Sequence, residues 1–230
     1  MRMRHLILAA GAAVSLLAPA ALAAPAPAPQ VTDPANDANF VNDQGEPLPV
    51  GFSAALPVGS QAYADVLSVL WTPQKVKKGK KMVVTGFTVQ TTFSGPPTPP
   101  AGTTVVYRML GHVNGDSKLF LGPVYYSAPL PGGPQSALRD DLEDGKTVRL
   151  TPIALPVIAG NTMTWTVPLT VLPKQFKPGK SVTDLYFEVR EIESFQGQSI
   201  PSSSPIGGGS TGFADGLLDA GTSTGSFTIG

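Results

Sequence analysis

The clearest chemical signal in the sequence is a short segment near the amino terminus that is rich in carboxylate and amide side chains. In Asp33-Pro34-Ala35-Asn36-Asp37-Ala38-Asn39, four of the seven side chains can offer oxygen to a hard cation. Calcium takes six to eight such oxygens, so we predict a structural calcium site, with Asp33, Asp37 and Asn39 as ligands. Three later acids are candidates to complete it: Asp65, Asp215 and Asp219. The alternative is that these residues only form turns, as aspartate and asparagine often do.

Catalytic motifs are poorly supported by comparison. Gly-x-Ser-x-Gly occurs around Ser210 and Ser223, but in low-complexity sequence without the strand-to-helix elbow on which the motif depends. His112, which we expect at an edge or on the surface, precedes both serines, whereas that motif needs a later histidine. Residues 140–145 read as an exposed acidic turn, and acid pairs are too common in this chain to indicate a glycosidase. We therefore predict a protein that is not an enzyme, with glycoside hydrolysis as the catalytic alternative.

Two tyrosines are candidate ligand contacts. Tyr125 and Tyr126 are adjacent on a predicted strand, so their rings should lie on opposite faces of a sheet, and Tyr186 lies on the polar face of its strand. An exposed flat ring can stack on a sugar, which makes Tyr126 and Tyr186 candidates for contact with a carbohydrate. Tyrosine is equally common as an ordinary strand residue.

Residues 75–81 hold five lysines. This basic run could contact an anionic cell-wall polymer or lipid headgroups. The alternative, which we favour from the sequence, is a solvated hairpin loop whose charges discourage pairing with another sheet edge.

The amino-terminal residues predict export. Arg2 and Arg4 precede an apolar run at 6–17, and Ala21-Leu22-Ala23 fits a signal-peptidase site, so we predict a signal peptide at 1–23. An alternating Ala/Pro spacer then occupies 24–30. Cleavage would leave fourteen basic against sixteen acidic residues, which gives no electrostatic footprint for nucleic acid. No second span follows the signal, and the absence of cysteine excludes disulfides and thiolate metal sites.

Period-two alternation dominates the remaining chain and predicts antiparallel strands. Apolar residues alternate with polar ones around 83–93, 162–169 and 185–190, and turn sequences such as Asn114-Gly115 separate the strands. We predict an all-β fold, an antiparallel β-sandwich or jelly roll of about eight or nine strands, with Trp71, Trp165 and Phe187 in its core. Residues 31–230 would form one domain, with a long Gly/Ser-rich loop at 195–212.

Several short motifs carry a resemblance that extends over nearly the whole mature chain. They are the segment at 33–39, Ala64-Asp65-Val66-Leu67-Ser68-Val69, Thr164-Trp165-Thr166-Val167-Pro168-Leu169 and Lys177-Pro178-Gly179-Lys180. The chain resembles exported bacterial β-sandwich proteins that begin with Asp-Pro-x-Gly-Asp-Ala-Asn and, more distantly, DOMON-type and family-nine carbohydrate-binding-module jelly rolls. Asn36 stands where that pattern has glycine, although asparagine also tolerates a left-handed backbone. The resemblance implies a non-catalytic sandwich that binds calcium.

From these patterns we expect a secreted or envelope-associated module that binds or displays a ligand. Calcium would be its structural ion, and a cell-surface glycan or another envelope protein its partner. The alternative is a structural or interaction protein of the envelope or matrix that has no small-molecule ligand. A sandwich fold alone does not distinguish these, because the same architecture hosts many unrelated functions.

Overall fold

The computed structural model describes residues 26–35, 38, 61–101, 103–129, 132–141, 148–173, 176, 179–192 and 215–229. This part of the chain forms twelve strands and one 3₁₀ turn, Leu169–Val171. The strands are β1 (Val31–Thr32), β2 (Val66–Lys78), β3 (Lys81–Phe93), β4 (Thr104–Val113), β5 (Asp116–Tyr126), β6 (Ser136–Asp141), β7 (Val148–Pro152), β8 (Val157–Ala159), β9 (Thr162–Pro168), β10 (Lys180–Ile192), β11 (Asp215–Thr222) and β12 (Ser226–Ile229). Within the described ranges, no helix has the length and apolar character needed to cross a membrane.

The strands form two antiparallel sheets, which we call sheet A and sheet B. Sheet A has the order β1-β2-β3-β9-β8, and sheet B has the order β11-β10-β4-β5-β6-β7, with β12 also paired to β10. The architecture is nearly all β and includes a curled half-barrel. The predicted all-β sandwich is therefore confirmed, although the described residues contain more strands than the eight or nine expected. Short strands such as β1 and β8 lack the length over which alternation can be recognised.

Glycine and asparagine turns join the long hairpins as the sequence predicts. Asn114 and Gly115 have φ values of 53° and 73°, so they connect β4 to β5 through a two-residue turn with both central residues in the left-handed region. Gly79 (φ 63°) similarly turns β2 into β3, and Gly160 (φ 58°) turns β8 into β9. Each turn places its flanking strands in register within one sheet.

The sequence also predicts a strand at Thr147–Leu155 that Ala159-Gly160-Asn161 turns back into the strand at 162–167. The strand is present as β7, but the predicted hairpin is wrong, because the chain changes sheets between Pro152 and Val157. Residues Val148–Pro152 pair with β6 in sheet B, whereas Val157–Ala159 pair with β9 in sheet A. Pro152 ends the first strand and Pro156 lies just before the second. Proline has no N–H to donate to a strand ladder, and this pair of prolines marks the crossover.

The main core lies between the sheets and includes both tryptophans, as predicted. Trp71 and Trp165 are buried, and the Trp71 ring stacks on Phe87 with a centroid distance of 5.4 Å. Phe227 of β12 contacts both of those rings, at 5.8 Å from Trp71 and 5.4 Å from Phe87. The last strand therefore packs into the same core as β2 and β3.

The two ends of the described chain also meet. The Ser223 hydroxyl donates to the Gln30 carbonyl at 2.5 Å, and the Gln30 side chain bonds both backbone groups of Trp71. Gly225 passes so close that an added Cβ would lie 2.7 Å from the Gln30 carbonyl oxygen. The end of the predicted Ala/Pro spacer is thus fixed to sheet A and to the connection between β11 and β12.

Candidate functional site

The predicted metal ligands are partly described, and two of them lie at one corner of sheet A. β1 pairs with β2 in the register Val31↔Val69 and Thr32↔Ser68, and the Asp33 N–H donates to the Leu67 carbonyl at 3.1 Å. This pairing brings Asp33 beside the start of β2, which Asp65 immediately precedes. Asp65 is fully buried, and the Oδ2 atom of Asp33 and the Oδ1 atom of Asp65 are both inaccessible to solvent.

A tight backbone turn holds Asp65 in place. The N–H groups of Ala64 and Asp65 both donate to the Gln61 carbonyl, at 2.7 and 3.0 Å. On the far side, the Ser94 N–H donates to the Asp65 carbonyl at 2.9 Å, which ties the turn to the end of β3. The Asp65 carboxylate therefore projects from a backbone that is bonded on both sides.

Tyr107 in β4 fixes this turn to sheet B. Its hydroxyl donates to the Tyr63 carbonyl at 3.2 Å. Burial is the main cause that raises the pKa of Tyr107 well above its usual value, with smaller contributions from Tyr63 and Tyr125. The phenol consequently stays protonated and able to donate, so the corner that carries Asp65 is connected to both sheets.

The other predicted ligands are less fully described. Asp37 and Asn39 lie outside the described residues. Asp215 and Asp219 belong to β11, where their Cα atoms are in register with Ile192 and Val189 of β10. The described residues contain no group of three or more histidine, cysteine, aspartate or glutamate side chains placed to hold a metal ion.

A second cluster occupies the side of sheet B that faces away from sheet A, which we call the outer face. It consists of Val106, Leu110, Val124 and Tyr126, with Tyr186 packed against them. Tyr125 packs instead against the main core, so the two adjacent tyrosines do lie on opposite faces, as predicted. Tyr126 is only 3% exposed, whereas Tyr186 is partly exposed. The structure therefore brings both candidate ligand tyrosines into one cluster.

An ion-paired triad lies beside this cluster. Arg108 Nη1 donates to Glu188 Oε2 at 2.6 Å, and Arg190 Nε donates to Glu188 Oε1 at 2.6 Å. The side chains of Arg108, Glu188 and Arg190 are 3%, 18% and 16% exposed. Burial alone raises the pKa of Glu188, but the two arginines outweigh burial and hold that pKa below its usual value. The triad carries a net charge of +1, and the buried Nη2 of Arg108 makes no hydrogen bond within the described part of the chain.

Three aromatic rings continue the outer face toward the hairpin turn. The His112 and Phe120 ring centroids are 4.7 Å apart, and Tyr186 lies 6.0 Å from Phe120 and 6.4 Å from His112. His112 Nδ1 is 3.5 Å from Asp184 Oδ2. His112 is on the inner strand β4, flanked by β10 and β5, rather than on an edge strand.

The residues that suggested catalysis make contacts with different groups. The Ser223 hydroxyl donates to the Gln30 carbonyl and accepts from the Gly225 N–H, whereas His112 contacts Phe120, Tyr186 and Asp184. The segment around Ser210 lies outside the described residues. The expected exposed turn is wrong for Asp140, which is fully buried in β6 and pairs with Arg149 at 3.0 Å. Its strand position depends on β5 and β7 on either side, which local composition does not reveal.

Sequence reasoning missed the triad. Arg108 lies in the apolar run of β4, where a charge flanked by valine, tyrosine, methionine and leucine was a signal for a buried partner. Glu188 and Arg190, two residues apart on a strand, must share a face. The register Glu188↔Arg108, which completes the triad, is visible only in the sheet.

Comparisons with known proteins do not add to this description. No family model, no curated protein and no solved structure matches the chain.

Proposed function

We propose that this chain is an exported, non-catalytic β-sandwich module that binds a ligand at the outer face of sheet B and holds a structural calcium at the corner of sheet A. The main support for binding is the outer face, where aromatic rings and a preorganised ion triad lie together on the side that the main core does not use. Tyr186, Glu188 and Arg190 alternate along β10 and stay partly exposed, so a ligand can reach them although the apolar cluster beside them is buried. Polar groups placed among aromatic rings are typical of sites that recognise small ligands.

A carbohydrate is the ligand class that this chemistry favours. Tyr186 can stack on the face of a sugar ring, and it packs against the apolar cluster that contains Tyr126. The guanidinium groups of Arg108 and Arg190 can donate hydrogen bonds to hydroxyl or carboxylate oxygens of the sugar. The cell-surface glycan predicted from the sequence is therefore a suitable ligand for this surface.

A glycan screen of the chain lacking residues 1–23 tests this proposal. We expect a subset of glycans to bind, Tyr186→Phe to keep that binding because the ring remains, and Tyr186→Ala to weaken it about tenfold. Isothermal titration measures the affinities, and thermal unfolding establishes that both variants are folded. Equal binding by Tyr186→Ala and the unmodified chain contradicts the assignment to the outer face.

The alternative is a structural or interaction protein of the envelope or matrix, and one observation favours it. Val106, Leu110, Val124 and Tyr126 are already almost fully buried, as expected for residues that pack rather than bind. Under this alternative no glycan binds, and Tyr186→Ala lowers only the stability. The screen therefore separates the two functions.

The calcium proposal concerns the corner where Asp33 and Asp65 converge. Carboxylate oxygens are ligands that calcium prefers, and each of these two side chains carries an oxygen that is inaccessible to solvent. The proposed ligands are Asp33, Asp37, Asn39 and Asp65, with Asp215 and Asp219 as candidates to complete the shell. The ion would clamp the segment after β1 onto the start of β2, which is a structural role.

Thermal unfolding in excess calcium and then in chelator tests the clamp. Calcium at a hundredfold above its dissociation constant should stabilise the fold by about 2.7 kcal/mol, and each kcal/mol raises the midpoint by about 2–4 °C. Asp33→Asn and Asp65→Asn should abolish the calcium-dependent shift. Asp184→Asn is the matched control, because Asp184 is exposed on β10 and should leave the shift intact. No shift in the unmodified chain would exclude the clamp.

A further inference from the structure

The hairpin of β2 and β3 extends beyond the rest of sheet A. Both strands are thirteen residues long, but β1 pairs only with Ser68 and Val69 of β2, and β9 pairs only with Gly86–Thr92 of β3. In the described part of the chain, residues 75–84 pair only with each other. We call these ten residues the lysine arm. Its residues 75–82 are all exposed, so it projects as a two-stranded ribbon.

The arm concentrates positive charge that no acidic side chain among the described residues neutralises. It contains five lysines, and the sequence has no aspartate or glutamate from residue 66 to residue 115. Among the described residues, no lysine of the arm has an ion-pair partner. Lys78 and Lys81 are directly opposite each other across the turn, an arrangement that destabilises a hairpin. The lysines therefore lower the stability of the arm, which indicates that they serve contact with another molecule rather than folding.

Two apolar side chains are exposed among these lysines. Met82 is 61% exposed and Val76 is 43% exposed, although they are far from the main core. Charged residues that only protect a sheet edge do not require exposed methionine and valine beside them. A lipid interface accommodates the lysines and the apolar side chains together. The lysine amines contact phosphate, while the apolar side chains and the lysine stems enter the acyl boundary.

We propose that the lysine arm docks this protein onto an anionic phospholipid surface. Met82 shares one face of the ribbon with Lys77, whereas Val76 shares the other face with Lys78 and Lys81. The arm therefore enters the headgroup region by its tip, where the ammonium groups of its five lysines contact the headgroups and Met82 and Val76 reach the acyl boundary on either side. This surface is separate from the outer face of sheet B and does not depend on the function proposed for that face. A soluble polyanion would pair with the lysines equally well but would leave the apolar side chains in water.

Vesicle co-sedimentation tests the proposal with the chain lacking residues 1–23, because the apolar run at 6–17 could bind lipid by itself. Vesicles of phosphatidylglycerol with phosphatidylcholine should bind the protein, vesicles of phosphatidylcholine alone should not, and added salt should weaken binding. Each lysine near such a surface contributes about fivefold to the binding constant, so replacing all five by glutamine should reduce it about a thousandfold or more.

The chain offers a matched control for this variant. The five lysines outside the arm are Lys118, Lys146, Lys174, Lys177 and Lys180, and replacing them by glutamine changes the net charge by the same amount. We expect the control variant to keep most of the vesicle binding. Equal loss in both variants, or retained binding in the arm variant, overturns the proposal. Thermal unfolding establishes whether each variant is folded. If the variant that lacks all five lysines of the arm does not fold, the single Lys80→Glu change at the turn repeats the test.

The apolar residues distinguish a membrane from a soluble polyanion. Met82→Ser with Val76→Ser leaves the charge unchanged, and we expect vesicle binding to fall about tenfold while binding to heparin stays the same. If the double variant binds vesicles as the unmodified chain does, the apolar residues make no lipid contact and the membrane proposal is overturned. Binding to heparin without binding to anionic vesicles would identify a soluble polyanion as the partner instead.

Discussion

The two faces of sheet B are built from the same strands but obey different physical requirements. On the inner face, Met109, Phe187 and Val189 pack against sheet A in an apolar core. On the outer face, Arg108 and Glu188 occupy the alternate positions of the same two strands and form a buried ion pair. Both faces of β4 are largely buried. The comparison indicates that the stability of the inner face depends on filling space with apolar side chains, whereas the stability of the outer face depends on keeping each buried charge paired.

The largest expected effect comes from removing volume on the inner face. Phe187→Ala should lower the free energy of unfolding by about 3–5 kcal/mol, because a fully buried ring leaves a cavity. Tyr186→Ala, one residue away on the outer face, should cost about 1–2 kcal/mol because that ring is partly exposed. Urea denaturation measures both. Equal losses in the free energy of unfolding would show that the outer face contributes as much packing energy as the main core.

The next effect comes from breaking the triad. Glu188→Gln should lower the free energy of unfolding by about 2–3 kcal/mol, because it leaves the buried Arg108 guanidinium without its counter-charge. Adding Arg108→Met to this variant should recover most of the loss, since an apolar side chain needs no partner. Both variants are compared by chemical denaturation. A double variant that is less stable than Glu188→Gln would show that the arginine stem, rather than its charge, supports the outer face.

The triad should also give the outer face a pH dependence that the inner face lacks. The pKa of Glu188 is lowered in the folded state, so its contribution to stability is fully present above the usual value of 4.5. That contribution should be lost as the pH falls below 4.5 through the folded pKa, when the carboxylate is protonated. Unfolding measured across this range should show the stability gap between the unmodified chain and Glu188→Gln closing toward acid. The cost of Phe187→Ala should stay constant.

The smallest effect comes from replacing Arg149, the ion-pair partner of Asp140, which is buried in β6. Arg149→Gln removes an ion pair with Asp140, but Asp140 has further interactions and Arg149 is about half exposed, so we expect a loss of only about 0.5–1 kcal/mol. The loss should shrink in high salt because exposed charges are screened. Denaturation with and without added salt measures it. A cost as large as that of Glu188→Gln would show that Asp140 depends on the half-exposed Arg149 as strongly as Arg108 depends on Glu188.

The parts of the fold that could be predicted are those determined within a few residues. Alternation identified the strand around 83–93 and the burial of Trp71 and Trp165, and Asn114-Gly115 located a hairpin. The predicted pairing of the strand at 147–155 with the strand at 162–167 failed because a local pattern does not indicate which sheet a strand joins. β7 and β8 pair with partners on opposite sides of the sandwich.

For the candidate sites, too, the sequence predicted the residue types and the strand pairing decided which of them lie together. The sequence predicts Asp33 and Asp65 as oxygen ligands, and the β1–β2 register brings them to one corner of sheet A. Asp37 and Asn39 lie outside the described residues, so the ligand set stays a prediction. Tyr126 and Tyr186 were selected separately, and only the order of β10, β4 and β5 brings them into one cluster.

The sequence by itself determined the strand periodicity, the turn positions and the types of side chain available for chemistry, because these depend on neighbours along the chain. The tertiary structure decided which strands pair, that Glu188 meets Arg108 and that the lysine hairpin extends beyond its sheet. Those outcomes depend on register between segments far apart in sequence. A register is selected by the burial and pairing of entire strands at once, so no local pattern contains it.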